Sequence, residues 1–407
     1  MTTAIVVFAI SYVLVTARRL QWLPIDRPAG ALVGAVLTVA AGVLTPEQAL
    51  QAIDGHTLLL LFGVMGLGAF LSIDGFFDVA EAWLVMRART PARLVGFVVW
   101  GAGILSAFIT NDAVCVLGAP VIVRMIRTHD LPRLPLLLAL ATASNTGSVA
   151  TLVGNPQNML CGLLGGLEYR DHLALMAPVA AVGLAINHAA ILIAFRPALR
   201  AARLRPVVAR PPLSPRAVAS LLVVVASAIG FTLGADLAWT ATGAFALLML
   251  LHRRDTRPLW HRIDATVLLF FAGLFVVVGG LVHSGAPAAF FARHPLGVSP
   301  DDPFGWWRLS AIFLVGSNVV SNVPFILVVR DAVAALPDAR AGWELLAMAS
   351  TFAGNLTLIG SVANIIVAEN AREIGGLGFV EYLRVGAPVA LLTTAAGTAW
   401  MQLAGVL

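Results

Sequence analysis

The sequence contains no lysine, and charged residues of both signs are scarce. All 26 basic residues are arginine, and charged residues make up 12% of the 407, whereas soluble domains average about 25%. The net charge of +5 and the isoelectric point near 10.2 would suit a nucleic-acid-binding protein. The arginines, however, cluster in short loops between apolar runs. This is the positive-inside pattern of membrane proteins, and it argues against a nucleic-acid partner.

Cysteine and the common catalytic motifs are also rare or missing. The two cysteines, Cys115 and Cys161, both lie in apolar segments, so no disulfide framework is expected. Thiol chemistry with arsenite is a weaker interpretation of these two residues than inert burial. The sequence has neither a His-Glu-x-x-His pair nor a Gly-x-Ser-x-Gly elbow, which argues against an intramembrane enzyme.

Apolar residues dominate what is present. Hydrophobic residues make up 59% of the chain, the mean hydropathy is +0.91, and several apolar runs exceed the roughly 17 residues that a transmembrane helix needs. The sequence therefore predicts an all-α polytopic membrane protein. Arg18 and Arg19 follow the first apolar run at 4–15, and no basic residue precedes it. We expect a retained first helix, with its N-terminus outside.

Two polar motifs deep in apolar segments resemble each other. Residues 151–158 read Thr-Leu-Val-Gly-Asn-Pro-Gln-Asn, and residues 357–364 read Thr-Leu-Ile-Gly-Ser-Val-Ala-Asn. Both lie in runs, 135–165 and 343–374, that are too long for one crossing: 31 helical residues span roughly 46 Å, against a hydrocarbon core of roughly 30 Å. We predict an unwound break in each run, the first at about 144–158. Such breaks in corresponding halves indicate a transporter's binding site.

Two further apolar stretches are predicted to turn back before crossing. Arginines flank both ends of 93–126, so both ends belong on one side, and the stretch should be a re-entrant hairpin with its tip at Asn111. By symmetry, 308–336 should be a second hairpin with its tip at Ser321 and Asn322. A stretch at 74–90 should be an interfacial helix. The remaining predicted spans are 3–17, 29–45, 57–73, 174–195, 216–234, 236–251, 265–282 and 384–405.

These elements predict two inverted repeats. Each repeat has five transmembrane spans, one re-entrant hairpin and one broken helix, and the odd number of spans inserts the repeats in opposite orientations. The N-terminal repeat covers 1–196, a basic cytoplasmic linker covers 197–215, and the C-terminal repeat covers 216–407. In this topology 21 of the 26 arginines are cytoplasmic and both termini are outside. We expect the inner membrane of a bacterium as the location.

Single residues also recur between the halves. Asp54 matches Asp264 at an offset of 210, and both are predicted helix caps. Asn111 matches Asn322 at an offset of 211. The motif residues Thr151, Gly154 and Asn158 match Thr357, Gly360 and Asn364 at an offset of 206.

The four breaks are predicted to meet near the membrane midplane. N-termini of half-helices suit an anion, and exposed carbonyl groups suit a cation such as Na⁺. Asp112 is the carboxylate at a hairpin tip, and it could couple transport to H⁺ or Na⁺ or merely cap a half-helix. A possible Na⁺ site comprises Asn111, Asp112 and Asn322. The predicted substrate- and ion-binding residues are Thr110, Asn111, Asp112, Ser144, Asn145, Thr146, Gly154, Asn155, Pro156, Asn158, Ser321, Asn322, Asn355, Thr357, Gly360, Ser361 and Asn364.

At these residues the chain resembles the ion transporter superfamily over nearly its whole length. The resemblance rests on Ile-Thr-Asn-Asp-Ala (109–113), Ser-Asn-Thr-Gly-Ser to Gly-Asn-Pro-Gln-Asn (144–158), Ser-Asn-Val-Pro (321–324) and the motif at 357–364. It is similar to the arsenite efflux permeases and the citrate-transporter-like permeases. The resemblance implies two inverted repeats with hairpins and broken helices, and secondary active transport, often by a homodimer with elevator-like motion. An arsenite pump would add an ATPase subunit.

The hairpin tips depart from the carboxylate branch of that superfamily. That branch carries Ser-Asn-Thr at both tips, whereas this chain has Thr-Asn-Asp and Ser-Asn-Val. Our first hypothesis is therefore a secondary transporter of a small anion or oxyacid, such as arsenite, coupled to H⁺ or Na⁺, with a carboxylate substrate in doubt. A sodium/proton antiporter without an anion substrate is the alternative. An anion channel is less favoured, and no cofactor is expected beyond the coupling ion.

Overall fold

The computed structural model describes residues 1–16, 26–205, 212–298, 302 and 304–407, and these form α-helices and two 3₁₀ turns without a strand. The helices up to the linker are α1 (Thr2–Thr16), α2 (Arg27–Ala40), α3 (Pro46–Ala52), α4 (Gly55–Ile73), α5 (Phe76–Ala88), α6 (Pro91–Ser106), α7 (Asn111–His129), α8 (Arg133–Ser148), α9 (Pro156–Gly165), α10 (Tyr169–Ala194) and α11 (Arg196–Ala201). The helices after the linker are α12 (Pro215–Thr232), α13 (Leu237–His252), α14 (Arg257–Trp260), α15 (Ala265–His283), α16 (Ala286–Arg293), α17 (Gly305–Val320), α18 (Asn322–Ala334), α19 (Ala339–Ala353), α20 (Val362–Asn370) and α21 (Phe379–Leu403). The predicted cytoplasmic positions of Arg18, Arg19 and Arg210 lie outside the described residues.

Eight helices have the composition of membrane segments. Helices α4, α10, α12 and α15 are long and apolar enough to cross a bilayer, and α1, α2, α6 and α13 are apolar but shorter. Apolar side chains also remain exposed on their outer faces, Leu222 and Ile193 among them. Lipid accounts for that exposure, and the chain is an integral membrane protein.

The two predicted caps are confirmed. The carboxylate of Asp54 accepts hydrogen bonds from the backbone N–H groups of His56 and Thr57, at 3.0 and 3.1 Å, and begins α4. Asp264 accepts from the N–H of Thr266 at 3.0 Å and begins α15. These bonds satisfy N–H groups that have no partner inside the helix.

All four predicted interruptions are present. Helices α6 and α7 are separated at 107–110, α17 and α18 at Ser321, α8 and α9 at 149–155, and α19 and α20 at 354–361. The predicted start of the first break at 144 is wrong, because α8 continues to Ser148.

Ser144, Asn145 and Thr146 are therefore helical residues. Ser144 donates to the carbonyl oxygen of Ala141 at 3.0 Å, and Thr146 donates to that of Thr142 at 2.8 Å. Hydroxyl groups that bond back to the preceding turn remain compatible with a helix. A prediction based on polar residues alone therefore places the break one turn too early.

Helices of the first half pack against helices of the second half. Helix α2 packs against α15 and α4 against α13; α9 packs against α19 and α20 against α8; and α10 packs against α21. This arrangement brings the two hairpins and the two broken helices together in the middle of the molecule. Opposite insertion of the halves in the membrane stays a prediction.

Candidate functional site

A small cavity lies where the four interruptions meet. Its volume is about 30 Å³, which is enough for a water-sized group. Three side chains of α15 close it on one side. The residues that line it are Asn111, Asp112, Pro156, Gln157, Phe270, Phe271, Leu274, Ser321, Asn322, Val323, Gly360, Ser361 and Val362.

Four helix N-termini point at this cavity. Asn111 begins α7, Pro156 begins α9, Asn322 begins α18 and Val362 begins α20, and each of these residues lines the cavity. A helix N-terminus carries unpaired N–H groups and about half a positive charge. Their convergence makes the cavity favourable for an oxygen-rich or anionic ligand, although none of the described lining residues is an arginine.

The first hairpin tip is held by its own side chains and by the first broken helix. The side chain of Thr110 caps α7 by accepting from the N–H of Ala113 at 3.3 Å. The N–H of Asn111 donates to the carbonyl oxygen of Gly154 at 2.9 Å. The cap of α7 is therefore Thr110, and Asp112, for which a capping role was the alternative, lies inside the first turn.

Asp112 borders two cavities. It lines the cavity described above and a second one, also of about 30 Å³, whose other lining residues include Arg262 and Asp264. Arg262 donates to the hydroxyl of Ser72 at 2.9 Å. A half-buried carboxylate between two small cavities is well placed to hold a cation or a proton.

The second hairpin tip is built differently from the first. Ser321 has φ 73° and ψ 146°, a backbone conformation that glycine adopts readily and other residues adopt at a cost of about 1–3 kcal/mol. The side-chain oxygen of the buried Asn322 has no hydrogen-bond partner among the described residues. An unpaired buried oxygen costs stability, and in this position it lines the cavity.

Asn145 links three polar elements of the site. Its side-chain amide donates to the side-chain oxygens of Asn355 and Asn364, both at 3.0 Å. Its own side-chain oxygen accepts from Asn111 at 2.8 Å and from Ser361 at 3.0 Å. One buried side chain of α8 thereby ties the first hairpin tip to the second broken helix.

Thr351 is the counterpart of Asn145 at the offset of 206. Its hydroxyl donates to the side-chain oxygen of Asn158 at 2.8 Å and accepts from the amide of Asn155 at 3.1 Å. Asn155 also caps α9, since its oxygen accepts from the N–H of Asn158 at 2.8 Å. Each half thus supplies a side chain that holds the broken helix of the other half.

The remaining predicted residues lie behind the cavity. Ser144 contacts the thiol of Cys115 at 3.0 Å, the hydroxyl of Thr146 accepts from Asn355 at 2.9 Å, and Thr357 donates to Asn318 at 3.2 Å. The predicted residues that line the main cavity are Asn111, Asp112, Pro156, Ser321, Asn322, Gly360 and Ser361, and Thr110 lines the neighbouring one. The predicted residues that do not line either cavity are Ser144, Asn145, Thr146, Gly154, Asn155, Asn158, Asn355, Thr357 and Asn364.

Both motif glycines are in tight contact with neighbouring groups. A Cβ atom on Gly154 would lie 2.2 Å from the carbonyl oxygen of Ser148, and one on Gly360 would lie 2.5 Å from the side-chain amide of Asn318. These glycines allow each break to fold back on the end of its own first half-helix.

Several residues of the site were missed by the sequence analysis. Gln157 is part of the quoted motif, yet it was not among the predicted site residues. Phe270, Phe271 and Leu274 carry no polar signal, and only the structure places them against the cavity.

Similarity to known proteins extends over most of the chain. The model of the family described as citrate transporter (CitMHS) matches residues 12–353. The chain is 30% identical to the silicon efflux transporter LSI3 of Oryza sativa subsp. japonica, over 96% of each chain. It is 32% identical to the inner membrane protein YbiR of Escherichia coli, over 81% of this chain and 83% of the relative.

Two more distant similarities also cover most of the chain. The chain is 24% identical to the putative transporter arsB of Dictyostelium discoideum, over 98% of this chain and 92% of the relative. Among solved structures, the YdaH transporter of Alcanivorax borkumensis matches with a TM-score of 0.52 and 15% identity, covering 91% of this chain and 89% of that one. At that identity the match shows a common fold.

Proposed function

Because the chain belongs to the citrate transporter family, we propose that it is a secondary active transporter that moves a small inorganic oxyanion or neutral oxyacid. Its transport is coupled to H⁺ or Na⁺ by alternating access. The observation that carries this proposal is the single cavity lined by both hairpin tips and both broken helices. In a membrane, non-helical backbone persists only where protein or a water-filled cavity satisfies it.

The lining of the cavity supports a small, oxygen-rich substrate. The amides of Asn111, Gln157 and Asn322 and the hydroxyls of Ser321 and Ser361 can donate and accept hydrogen bonds. The four helix N-termini add a positive potential, worth about 0.3–1 kcal/mol each at exposed sites and up to about 2 kcal/mol when partly buried. A volume of about 30 Å³ favours a compact oxyacid over a tricarboxylate. The names of the relatives LSI3 and arsB support silicic acid and arsenite as the first candidates.

Alternating access is supported by hydrogen bonds through which a side chain of each half holds the broken helix of the other half. Asn145 holds Ser361 and Asn364, while Thr351 holds Asn155 and Asn158. We propose that the halves are inverted repeats and that both termini lie outside. Two structurally equivalent halves with opposite insertion give two equivalent conformations, one open to each side.

Asp112 is the proposed coupling residue of the cavity. It is the carboxylate among the lining residues, and it also faces the second cavity with Arg262 and Asp264. A sodium/proton antiporter that uses Asp112 without an anion is the second candidate. The four converging N-termini favour the oxyacid over this alternative.

Flux in proteoliposomes tests the proposal. Purified protein is reconstituted with a pH-sensitive dye inside and challenged with silicic acid, arsenite, phosphate, citrate and Na⁺. We expect one oxyacid or oxyanion to evoke a proton or sodium flux that Asp112→Asn lowers at least about tenfold, which corresponds to about 1.4 kcal/mol. A proton flux evoked by Na⁺ alone would contradict the oxyacid transporter and support the sodium/proton antiporter. Single-channel currents far above transporter turnover would identify a channel.

A further inference from the structure

His172 and Glu344 form a buried pair outside the predicted site. Nδ1 of His172, near the start of α10, lies 2.6 Å from Oε2 of Glu344, near the start of α19, and the two side chains are 0% and 3% exposed. Nε2 of His172 lies 3.1 Å from the backbone carbonyl oxygen of Val149. Both ring nitrogens of His172 therefore face oxygen atoms.

Hydrogen-bond geometry determines how many protons this arrangement holds. A carbonyl oxygen only accepts, so the hydrogen bond to Val149 requires a proton on Nε2. The contact between Nδ1 and Oε2 requires a second proton, whether it belongs to the imidazolium or to the carboxylic acid. The pair therefore holds one proton more than a neutral imidazole beside a carboxylate, and its net charge is zero.

We propose that the His172–Glu344 pair is a proton-binding site of this protein and that its proton is a coupling ion of transport. The second half of this statement rests on the proposed function, and the first half does not. In the binding step, a carboxylate and a neutral imidazole that carries hydrogen on Nε2 take up one proton between Oε2 and Nδ1. Release returns that proton to water and leaves the charge on Glu344.

Release of the proton must disrupt the pair. Without the proton, the lone pair of Nδ1 faces a carboxylate oxygen at 2.6 Å, and a buried negative charge has no cation in direct contact among the described residues. No arginine of the described residues forms an ion pair with Glu344. The two side chains must then separate or admit water, which breaks the hydrogen-bonded link between the start of α10 and the start of α19.

The pair is connected to the cavity through the first break. Val149, which accepts from His172, is the first residue after α8. The same break ends at Gly154 and Asn155, and the carbonyl oxygen of Gly154 holds the N–H of Asn111 at 2.9 Å. A change in the protonation of the pair therefore acts on backbone that positions the first hairpin tip.

Exposed charged residues and a surface cleft lie near the pair on one side. Asp171, which precedes His172, forms an ion pair with Arg340, one turn before Glu344, and both side chains are about half exposed. A surface cleft of about 620 Å³ is lined by Glu168 and Tyr169 at the start of α10. The distance along α10 from these residues to His172 is about one helical turn, or roughly 5 Å.

Other titratable groups lie on α10, on α19 and on the elements packed against them. Cys161 on α9 and Arg340 on α19 interact electrostatically with Glu344. Further charged or titratable groups on the elements packed against α10 and α19 include Arg93 on α6, Arg133 on α8, Glu168, Tyr169, Asp171 and His188 on α10, Arg216 on α12, Arg308 on α17, Arg330 and Asp331 on α18, and Glu381, Tyr382 and Arg384 on α21.

A second buried pair, His252 and Asp74, differs from the first in its charge balance. Nε2 of His252 lies 2.9 Å from the carboxylate of Asp74, and Nδ1 lies 2.9 Å from the carbonyl oxygen of Leu248. The carboxylate of Asp74 also accepts from Arg254 at 2.7 Å and from Ser220 at 2.6 Å. Arg254 compensates this carboxylate whether or not His252 is charged. A proton lost from His252 therefore leaves no uncompensated charge there.

Spectroscopy of the substrate-free protein tests the proton site directly. The protein is labelled with ¹⁵N-histidine and reconstituted in lipid. The signal of His172 is assigned by its loss in His172→Gln, and infrared difference spectra with Glu344→Gln report the carboxyl group. We expect a proton between Nδ1 of His172 and Glu344, and raising the pH should release it together with a change in the carboxyl band. A neutral His172 beside an ionised Glu344 over the whole pH range would overturn the proton site.

Transport tests the coupling separately. In proteoliposomes, we expect Glu344→Gln to retain exchange of the substrate at equal pH and to lose accumulation driven by a pH gradient by about tenfold or more. Glu47→Gln, at an exposed carboxylate of α3, should behave like the wild type. Full gradient-driven accumulation by Glu344→Gln would overturn the coupling role. If the wild-type protein moved no oxyacid at all, the proposed function would fail, while the spectra would still decide whether the pair holds a proton.

Discussion

Asn158 and Asn364 make the same pair of hydrogen bonds in the two halves of the molecule. The side-chain amide of Asn158 donates to the carbonyl oxygens of Ser148 and Thr151 at 3.2 and 3.0 Å. The amide of Asn364 donates to those of Gly354 and Thr357 at 2.7 and 3.3 Å. The two sets differ by the offset of 206 found in the sequence. These asparagines satisfy carbonyl groups that each broken helix leaves without a helical partner.

We predict that Asn158→Ala and Asn364→Ala destabilise the protein to a similar extent. Each substitution removes a donor from the buried carbonyl group of Ser148 or Gly354, whereas the carbonyl groups of Thr151 and Thr357 keep backbone donors. A lost buried hydrogen bond costs about 1–3 kcal/mol. The free energy of unfolding in detergent measures the effect. Asn370→Ala, at an exposed side chain that bonds its own helix, is the control and should change stability little. Stability equal to that of the control in either variant would contradict the shared bracing role.

We predict that Asn322→Val separates stability from transport. The unpaired side-chain oxygen of Asn322 is a cost of about 1–3 kcal/mol in the folded protein, so an apolar side chain of similar size should leave the unfolding temperature unchanged or higher. Transport should fall, because the substrate loses that oxygen. Asn145→Val is the matched comparison and should lower the unfolding temperature, since Asn145 is fully partnered. Full transport by Asn322→Val would show that the side chain of Asn322 does not bind the substrate.

We predict that Gly154→Ala reduces the yield of folded protein. The added Cβ atom would lie 2.2 Å from the carbonyl oxygen of Ser148, so the first break would have to open and release the N–H of Asn111. Gly101→Ala is the control, because no atom lies within 4 Å of its Cβ position and alanine favours the helix by about 1 kcal/mol. Size-exclusion profiles and thermal unfolding of the two variants measure the difference. Equal behaviour would show that the break tolerates expansion.

The sequence indicated where the chain breaks, because the breaks carry a signal that repeats. The motifs at 151–158 and 357–364 and the two tips at Asn111 and Asn322 stand out because they cluster polar residues inside long apolar segments. Cap positions were predictable for the same reason, since Asp54 and Asp264 precede apolar runs directly.

The direction in which each polar side chain points could not be predicted. Asn145, Asn155 and Asn158 are residue types that often bind ligands, yet their amides donate to other groups of the protein. Asn145 donates to the side chain of Asn364, Asn155 to the hydroxyl of Ser148, and Asn158 to the carbonyl oxygen of Thr151. Whether an asparagine faces a cavity or a neighbouring helix depends on local turn geometry, which a residue pattern does not contain.

The pair of His172 and Glu344 was missed for a different reason. His172 lies beside charged residues and just outside the predicted span at 174–195, so no role was predicted for it. Glu344 lies at the start of the predicted run at 343–374. A carboxylate inside an apolar run is a functional signal in its own right, but its partner is 172 residues away, and only the fold reveals that the two side chains meet.

Accessibility of the cavity from both sides of the membrane tests the account most directly. Val362 lines the cavity at the start of α20, and the two native cysteines are buried, so Val362→Cys supplies one reactive thiol. The variant is labelled with a membrane-impermeant thiol reagent from the outside and, separately, from the inside, with and without silicic acid or arsenite. Alternating access predicts labelling from both sides and protection by the transported oxyacid. Labelling from one side only, with no protection by any oxyacid that the protein transports, would contradict the account.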